Sequence, residues 1–544
     1  MTTVIERIDR VAREAFGYEE LRPGQREAIE SVLAGRDTLA VMSTGSGKSA
    51  IYQIAGLLSK GATVVVSPLI ALQADQVEDL RERLGGNAAH LNSTLSARER
   101  ENAFADLADD ALEFLFLAPE QLSNPEVLAE LAEADISLLV VDEAHCISEW
   151  GHDFRPDYLR LGAVIEALGR PVVLALTATA APPVREEIEE RLAMRDPAVI
   201  VRNFDRPNIH LGVERFHTAA GHDRALLDRV EQADKPGLVY VATRKRTEEI
   251  ADALEERGIR ALAYHAGLRD ADRAEAQDRF MDDEVEVVVA TTAFGMGIDK
   301  PNVRFVYHAE PADSVDSYFQ EIGRAGRDGE PAEAMLFYRV EDLGVRRFFA
   351  GTGQVDVVDI ARVAEAVAEA DGPVPPTELQ EETDLSQTKL TTAISRLEDV
   401  GALEVLPSGD VAQAEDAPPR QAAVQGAAEA EEHRRLFDRS RIDMMRAYAE
   451  LEGCRRAFLL SYFGEPYEPP CGNCLWCDEH GDDLVAADDG SRPFPVGSRV
   501  RHDHWGEGAV QRYDDEAMTV LFDDVGYKTL AVEVVAEKGL LEPA

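Results

Sequence analysis

Positive charge is what this 544-residue chain has least of. It carries 56 Lys and Arg against 103 Asp and Glu, a formal net charge of −47, and lysine is especially scarce. Taken alone, this balance argues against nucleic-acid binding, because phosphates are bound through clustered Lys and Arg. Total charge does not describe a single groove, however, so any nucleic-acid path on this chain is expected to be locally rich in arginine.

Long apolar runs and dispersed cysteines are also missing. No stretch reaches the roughly 18–20 apolar residues that span a bilayer, and residues 1–20 contain early acidic groups and no apolar signal core. Four of the five cysteines lie within residues 454–477, which argues against a disulfide framework spread over the chain. These features predict a cytoplasmic protein.

A phosphate-binding loop is predicted at Met42–Ser49. The apolar run Thr38–Val41 precedes it and a helix-like segment follows, which is the strand–turn–helix context that such a loop requires. Met42 departs from the general pattern, which begins with glycine, and the alternative is an ordinary Ser/Gly turn. The backbone expected to close around phosphate oxygens, with glycines that remove Cβ interference, is that of Thr44, Gly45, Ser46 and Gly47.

Two charged sites complete the predicted nucleotide chemistry. Lys48 is expected to bind the β- and γ-phosphates, and the Ser49 hydroxyl to ligate Mg²⁺. The apolar run Leu138–Val141 ends in Asp142 and Glu143. Asp142 is expected to hold Mg²⁺, directly or through water, and Glu143 to deprotonate the attacking water. A buried strand that ends in a solvated acidic turn is the alternative, but the two motifs together predict a nucleoside triphosphatase.

The order of elements predicts an α/β fold. Residues 1–350 alternate strand-like and helical stretches, as in parallel sheets, with a break near residues 203–207. Three helices and a hairpin then indicate a winged helix, with an all-α connector as the alternative. Residues 413–430 are interpreted as a linker that runs into a helix. The predicted domains are two doubly wound lobes at 1–203 and 204–353, the winged-helix-like domain at 354–412, a helical module with four cysteines at 413–484 and an SH3- or Tudor-like β-barrel at 495–544.

The cysteine spacing predicts a zinc site. Cys454, Cys471, Cys474 and Cys477 are separated by 16, 2 and 2 residues, and four thiolates at such spacing suit tetrahedral Zn²⁺ with no open coordination position. The site is therefore interpreted as structural. Free core cysteines are the alternative for this cluster, and a buried thiol is the favoured interpretation for Cys146.

The chain resembles the RecQ family of superfamily 2 DNA helicases. The resemblance rests on Asp142–His145 followed by Cys146–Tyr158, on Tyr318–Gly329 and on the cysteine module, and it runs from Phe16 to about Phe349. Met42 is also typical of the family. The resemblance implies RecA-like lobes with a cleft between them, and an enzyme that hydrolyses ATP with Mg²⁺. It also implies 3′→5′ translocation on single-stranded DNA, in repair or recombination.

Site residues follow from the resemblance, position by position. Tyr18, Arg22 and Gln25 correspond to the adenine-recognition element, and Asp299 is expected to reach the ribose. Gln320, Arg324 and Arg327 correspond to the catalytic arginine motif, in which Arg327 is the finger on the γ-phosphate. The two arginines are three residues apart, so on one helical turn they would face the same way. The residues expected to contact DNA are Ser67, Asn92, Ser93, Trp150, His152, Phe154, Arg155, Thr243, Arg244, His265, Thr291 and Thr292.

Two features depart from the usual layout of that family. The winged-helix candidate comes before the cysteines, and its tip, Pro407–Gly409, has no aromatic wedge. Residues 497–508 resemble the Tudor-like tail of UvrD-type helicases, which predicts a module that docks a protein partner or touches DNA. A monomer is expected. An RNA-directed helicase of the same superfamily and a non-hydrolysing ATP-binding scaffold stay open as alternatives.

Overall fold

The computed structural model describes residues 3–68, 70–85, 87–91, 97–109, 111–148, 155–202, 204–295, 300–344, 355–370, 372–406, 408–465, 467–480, 493–496, 498–513 and 517–544. The chain forms two compact units. Unit 1 contains Met1–Asn203 and Gly353–Arg434, and unit 2 contains Phe204–Thr352 and Arg435–Ala544.

Unit 1 is built on a seven-stranded parallel sheet. Its strand order is β3-β4-β2-β5-β6-β1-β7. Strands β1, β2 and β4 are buried along their whole length, as expected when helices cover both faces of a parallel sheet. The strands are β1 Thr38–Met42, β2 Ala62–Val66, β3 Ala88–Leu91, β4 Phe114–Leu117, β5 Ile136–Val141, β6 Val172–Thr177 and β7 Ala198–Arg202.

Helices connect these strands, and their ends carry recognisable capping residues. Thr3 and Glu6 form a capping box at the start of the first helix, and Gly17 ends it with φ 71°. Asn124 caps the sixth helix and a proline begins it. The helices are α1 Val4–Phe16, α2 Gln25–Leu33, α3 Ser49–Leu58, α4 Ile70–Leu84, α5 Ala97–Ala108, α6 Pro125–Glu133, α7 Leu161–Ala167 and α8 Pro182–Arg191.

Unit 2 repeats the design with a six-stranded parallel sheet in the order β10-β11-β9-β12-β13-β8. The two lobes predicted from the sequence are therefore confirmed as parallel α/β lobes. The elements are β8 Ile209–Arg215, α9 Ala219–Gln232, β9 Gly237–Tyr240, α10 Arg244–Glu256, β10 Ala261–Tyr264, α11 Asp270–Met281, β11 Val287–Ala290, β12 Phe305–His308, α12 Val315–Ile322 and β13 Ala332–Tyr338.

The chain then returns to unit 1 with three helices and a hairpin, here called the helix–hairpin region. These are α13 Val357–Glu369, α14 Pro376–Thr383, α15 Gln387–Asp399, β14 Leu403–Val405 and β15 Val411–Gln413. Asp356 caps the first of these helices through the backbone N–H groups of Val358 and Asp359, each at 2.9 Å. Elements of the kind expected for a winged helix are present, and that name for the region stays a prediction.

The linker predicted at 413–430 is wrong over most of its length. Helix α16 spans Arg420–Glu450 without interruption, so most of the predicted linker is helical. Ala423 and Ala427 lie one helical turn apart and are buried in the core of the helix–hairpin region. Alanine is the best helix former, and an apolar stripe at this spacing buries one helix face. The alanine-rich composition of residues 420–430 therefore belongs to a helix and not to a linker.

The last part of unit 2 contains α17 Arg455–Tyr462, α18 Leu475–His480 and a five-stranded antiparallel sheet in the order β19-β18-β17-β16-β20. Tyr527 of the sheet stacks on Tyr462 with ring centroids 5.3 Å apart, and the Arg512 guanidinium lies 3.9 Å from the Phe458 ring centroid. The sheet thus packs on the helices of the cysteine module. Its elements are β16 Arg499–His502, β17 Gly506–Tyr513, β18 Ala517–Phe522, β19 Gly526–Ala531, α19 Val532–Lys538 and β20 Glu542–Pro543.

None of the helices in the described residues is both long enough and apolar enough to cross a membrane.

Candidate nucleotide site and metal centre

The phosphate loop lies where the sequence places it, between β1 and α3. Gly45 and Gly47 both have φ 77°, in the left-handed region that glycine adopts without steric cost. Ser49 is the first residue of α3, so the loop leads into the N-terminus of a helix. The Lys48 ammonium spans the loop and donates to the Met42 carbonyl at 3.1 Å. The loop therefore presents its lysine together with a helix N-terminus.

Two of the residues predicted to read adenine contact the loop itself. Gln25 is buried, and its Nε2 donates to the carbonyls of Ser46 and Gly47 at 3.0 and 2.8 Å. The Arg22 side chain donates to the Gly45 carbonyl. A Cβ added to Gly47 would lie 2.8 Å from Gln25 Nε2, and φ is 77° there, so another residue would displace the Gln25 amide and strain the backbone.

Tyr18, the third residue of that element, is half-exposed. Its ring stacks on Phe16 with centroids 5.9 Å apart and an interplanar angle of 15°. A partly exposed aromatic ring fits the predicted stacking on a base. Contact with adenine stays a prediction for all three residues.

Asp142 is the electrostatic centre of unit 1. It follows β5 directly, and burial raises its pKa to about 7, with Glu143 adding to the rise and Lys48 opposing it. Its Oδ2 accepts from the Ser67 hydroxyl at 3.5 Å, and its backbone carbonyl accepts from the Tyr158 hydroxyl at 3.0 Å. The structure thus brings together the lysine, the carboxylate and Ser67, which the sequence assigned separately to phosphate, Mg²⁺ and DNA.

Tyr52 is a site residue that sequence reasoning missed. It lies on α3 one turn after Ser49, and its ring is 1% exposed. Burial raises the pKa of its phenol, and the nearby Asp142 carboxylate raises it further. The available signal was its spacing of three residues from Ser49, which places both on one face of the helix.

Glu143 adopts an uncommon backbone conformation. Its φ is 48°, in the left-handed region that few residues other than glycine occupy. Its Oε2 lies 3.3 Å from Nδ1 of the buried His145, and the same nitrogen lies 2.9 Å from the Thr177 hydroxyl. Thr177 in turn donates to the Thr179 carbonyl at 3.0 Å. Within unit 1, the two threonines therefore reach Glu143 through His145.

Cys146, which follows His145, is fully buried, which confirms the interpretation of a core thiol.

The burial of Asp142 predicts opposite effects of one substitution on stability and activity. The pKa of Asp142 is raised in the folded protein. Between about pH 4 and about pH 7 the folded protein therefore keeps a proton that the unfolded chain has released. The free energy of unfolding falls as pH rises through this range. Asp142→Asn removes this cost because it is neutral at every pH. At pH 8 without Mg²⁺, the variant is expected to melt above the wild type; in a separate assay with ATP and Mg²⁺, it is expected to lack the ATPase activity of the wild type.

Melting temperatures of both proteins between pH 4 and pH 8 check this prediction. The difference in melting temperature between the variant and the wild type should shrink towards pH 4. A difference that is equal at pH 4 and pH 8 would contradict the prediction.

In unit 2 the strand ends bring several predicted DNA-contacting residues to one sheet edge. Thr243 caps α10 and accepts from the Arg246 N–H at 3.3 Å, and the Thr291 hydroxyl accepts from the Ala293 N–H at 3.4 Å. His265 is buried and Arg244 is exposed, and both side chains lie beside Gly267. A Cβ added to Gly267 would lie 3.1 Å from His265 Nδ1 and 3.1 Å from Arg244 Nη1. Because β9, β10 and β11 are parallel neighbours, these residues share the carboxyl edge of the sheet.

The helical placement predicted for Arg324 and Arg327 is wrong. Helix α12 ends at Ile322, and both arginines lie in the turns that follow, where Gly326 has φ 55°. A left-handed residue cannot continue an α-helix, which is why the spacing of three misled. The two side chains also differ in burial, since Arg324 is 4% exposed whereas Arg327 is half-buried. Gln320, on α12, is also half-buried.

Arg206 and Asn208 hold this arginine-bearing turn, and sequence reasoning missed both. Arg206 donates to the carbonyls of Gly323, Ala325 and Gly326 at 2.9, 2.7 and 2.9 Å. Asn208 Nδ2 donates to the Gly326 carbonyl at 2.8 Å and to the Glu330 carbonyl at 2.9 Å. No local pattern marks such contacts, because the partners are more than a hundred residues apart in the chain.

The remaining predicted contacts are of two kinds. Arg155 donates to the Pro68 carbonyl at 3.2 Å, next to Ser67, and Thr292 is exposed after β11. The predictions for Asn92, Ser93, Trp150, His152, Phe154 and Asp299 fall outside the described residues.

The four clustered cysteines converge in unit 2. The Sγ atoms of Cys454, Cys471, Cys474 and Cys477 all lie within 4.8 Å of one another, and those of Cys471 and Cys477 are 3.8 Å apart. Four thiolates at about 2.3 Å from a tetrahedral Zn²⁺ are separated by about 3.8 Å. The donor set therefore fits a closed structural zinc site.

This geometry predicts one tightly bound zinc per chain. Cys471→Ser removes a thiolate ligand, so the variant is expected to lose most of its zinc and to unfold at a lower temperature, because metal binding is coupled to folding. Zinc content and melting curves of the two proteins check this. Cys146→Ser is the matched control, since Cys146 is not part of the cluster, and it should keep its zinc. Full zinc retention in Cys471→Ser would contradict the prediction.

Comparisons with known proteins agree with this architecture. Residues 22–188 match the DEAD/DEAH box helicase family, residues 222–329 the helicase conserved C-terminal domain, and residues 409–478 the RecQ zinc-binding family. The solved structure of the DUF1998 helicase MrfA bound to DNA aligns with a TM-score of 0.52 at 18% identity. It covers 77% of this chain and 63% of that one, and it shows the fold alone. Fold and site define a superfamily 2 helicase.

Two relatives narrow the assignment. The probable ATP-dependent DNA helicase RecS of Bacillus subtilis is 36% identical over 473 residues, which are 86% of this chain and 91% of RecS. The ATP-dependent DNA helicase RecQ of Pasteurella multocida is 44% identical over 333 residues, but this match spans only 52% of that protein. The chain therefore belongs to the RecQ family of ATP-dependent DNA helicases, with the zinc module of that family.

Proposed function

We propose that this chain moves 3′→5′ along single-stranded DNA and unwinds duplex DNA in repair or recombination. The observation that carries the proposal is the meeting of Lys48, Asp142 and Ser67 at the carboxyl edge of one parallel sheet. The two relatives are named ATP-dependent DNA helicases. The zinc module is shared with the RecQ zinc-binding family.

The residues of unit 1 have distinct tasks in this proposal. Lys48 and the loop backbone bind phosphate oxygens, while Ser49 and Asp142 would hold Mg²⁺. A bound Mg²⁺ supplies positive charge to the phosphates. Glu143 accepts the proton of the attacking water, and His145 keeps its carboxylate in place. Because Asp142 is buried, its interactions with neighbouring charges act in a low-dielectric environment and are less screened than in water.

The arginines of unit 2 complete the proposed chemistry. Arg327 is assigned as the finger that stabilises charge on the γ-phosphate, with Gln320 and Arg324 beside it. Arg206 and Asn208 support this assignment, because they hold the turn that carries both arginines through five hydrogen bonds.

DNA contact is assigned to the strand ends of both lobes. Hydroxyls, imidazoles and guanidiniums at these positions suit phosphates, which carry no sequence information. Thr243, Arg244, His265 and Thr291 share one sheet edge in unit 2, which supports this part of the proposal.

The proposal also covers the location of the protein, its oligomeric state, its partner and its division into domains. We assign the protein to the cytoplasm, where a DNA substrate would be available, and we propose that it acts as a monomer. The C-terminal sheet is proposed to dock a protein partner. The division into five domains is kept, with the beginning of α16 added to the helix–hairpin region because Ala423 and Ala427 lie in its core.

Two other candidate functions are less well supported. An RNA-directed enzyme of the same superfamily would share the lobes, but the zinc module and the named relatives favour DNA. A non-hydrolysing scaffold would not need Asp142 buried beside a lysine, and the proposal retains Lys48, Glu143 and Arg327 as a full set for hydrolysis.

The test is DNA-stimulated ATP hydrolysis. Lys48→Ala is expected to abolish it, because the loop loses the charge that binds the β- and γ-phosphates. Single-stranded DNA should stimulate the wild type and RNA of the same length should not. Lys60→Ala is the matched control, since Lys60 is exposed just beyond the other end of α3. Unchanged hydrolysis in Lys48→Ala would overturn the mechanism, and equal stimulation by RNA would overturn the DNA assignment.

A further inference from the structure

The helix–hairpin region contacts the first lobe at two places. At the end of α15, Asp399 pairs with Arg191 at the end of α8, and Glu398 lies 3.6 Å from the same guanidinium. At the hairpin tip, Gly409 lies so close to Arg160 that an added Cβ would be 2.9 Å from Nη1. The tip that lacks an aromatic wedge is therefore packed on its own lobe.

The first contact continues to the carboxylate segment. Arg191 Nε lies 3.6 Å from Glu187 on the preceding turn of α8. The Ser148 hydroxyl donates to Glu187 at 2.5 Å. Ser148 directly follows the 3₁₀ turn Ala144–Ile147, which begins after Glu143. A continuous chain of polar contacts thus joins α15 to the segment that follows Asp142 and Glu143.

The second contact reaches the same segment from its other side. Arg160 pairs with Asp157. Tyr158, between them, donates to the Asp142 carbonyl at 3.0 Å, and the Arg155 N–H donates to the Cys146 carbonyl at 2.8 Å. Residues 149–154, which by family resemblance couple DNA to ATP hydrolysis, lie in the sequence between these two anchored stretches.

Charge argues against a DNA-binding role for the region itself. Residues 355–412 contain thirteen Asp and Glu but three Lys and Arg. Lys389 Nζ lies 2.7 Å from Asp359 Oδ2. Arg396 Nε lies 3.0 Å from Glu431 Oε2, and both of these residues are buried. Arg362 lies 4.0 Å from Asp359. Each cation is already close to a carboxylate, so no cluster is available for phosphates.

We propose that the helix–hairpin region is a brace on the first lobe that sets the coupling between DNA binding and ATP hydrolysis. Arg191 and Glu187 are its positioning residues, and they act through Ser148 without touching nucleotide or DNA. This inference rests on the proposed function, because it requires hydrolysis that DNA stimulates.

The test compares the ratio of DNA-stimulated to unstimulated ATP hydrolysis in the full chain. Arg191→Ala is expected to lower this ratio about fivefold, the effect of losing one well-placed partly buried ion pair. The unstimulated rate and the DNA concentration for half-maximal stimulation should stay unchanged. A merely structural role would instead lower the melting temperature and both rates together.

Arg170→Ala is the matched control. Arg170 pairs with Glu166 at 2.9 Å on the same lobe, and its side chain is 17% exposed, as is that of Arg191. The ratio of this variant should equal that of the wild type.

A double-mutant cycle tests whether the contacts act as one chain. Glu187→Ala and Asp399→Ala lie on opposite sides of Arg191, so the double variant should lower the ratio no further than the stronger single variant. If Arg191→Ala does not fold, Glu187→Gln serves instead. It keeps an acceptor for Ser148 but removes the charge that faces Arg191, and a decrease of about twofold is expected.

The outcomes separate the two proposals. A wild type that DNA does not stimulate would overturn the proposed function. A stimulated wild type with unchanged ratios in Arg191→Ala and Glu187→Ala would overturn the brace alone.

Discussion

The buried carboxylate of Asp142 is the constraint on which the rest of unit 1 depends. A carboxyl group held away from water favours its protonated form, and here burial raises the pKa to about 7 even though Lys48 is near. Polar groups lie around this residue: the Ser67 hydroxyl contacts its carboxylate, the Tyr158 hydroxyl donates to its backbone carbonyl, and the Lys48 charge is near. In the proposed mechanism, Mg²⁺ and the phosphates would bind next to this carboxylate.

In unit 2, the main structural constraint is the turn that carries Arg324 and Arg327, which long-range hydrogen bonds hold in place. The segment 204–211 lies between this turn and the zinc module. On one side, Arg206 binds three carbonyls of the turn. On the other side, Arg456 donates to the Ile209 carbonyl at 2.7 Å, and the Phe204 N–H donates to Glu465 at 2.9 Å. Residues of the cysteine module thus contact the segment that holds the arginine turn.

The parts of the site that were predictable are those that local patterns encode. Lys48 follows a glycine turn, Asp142 ends an apolar strand, and the cysteines repeat at metal-ligand spacing; each signal occupies a few consecutive residues. Arg206 was not predictable, since its role depends on contacts that only folding creates, and the only signal for Tyr52 was its spacing of three residues from Ser49. Helix α16 was misjudged because its alanine-rich start acquires a partner only when the helix–hairpin region forms. The spacing of Arg324 and Arg327 misled because helix α12 ends at Ile322, before both arginines, and because Gly326, with φ 55°, lies between them.

Directional DNA unwinding is the central claim, and strand separation on tailed duplexes tests it most directly. The full chain, loaded with zinc and given ATP and Mg²⁺, should separate a labelled duplex that carries a 3′ single-stranded tail and leave the matching 5′-tailed duplex intact. Separation of neither duplex, or separation that starts from the 5′ tail, would contradict the account.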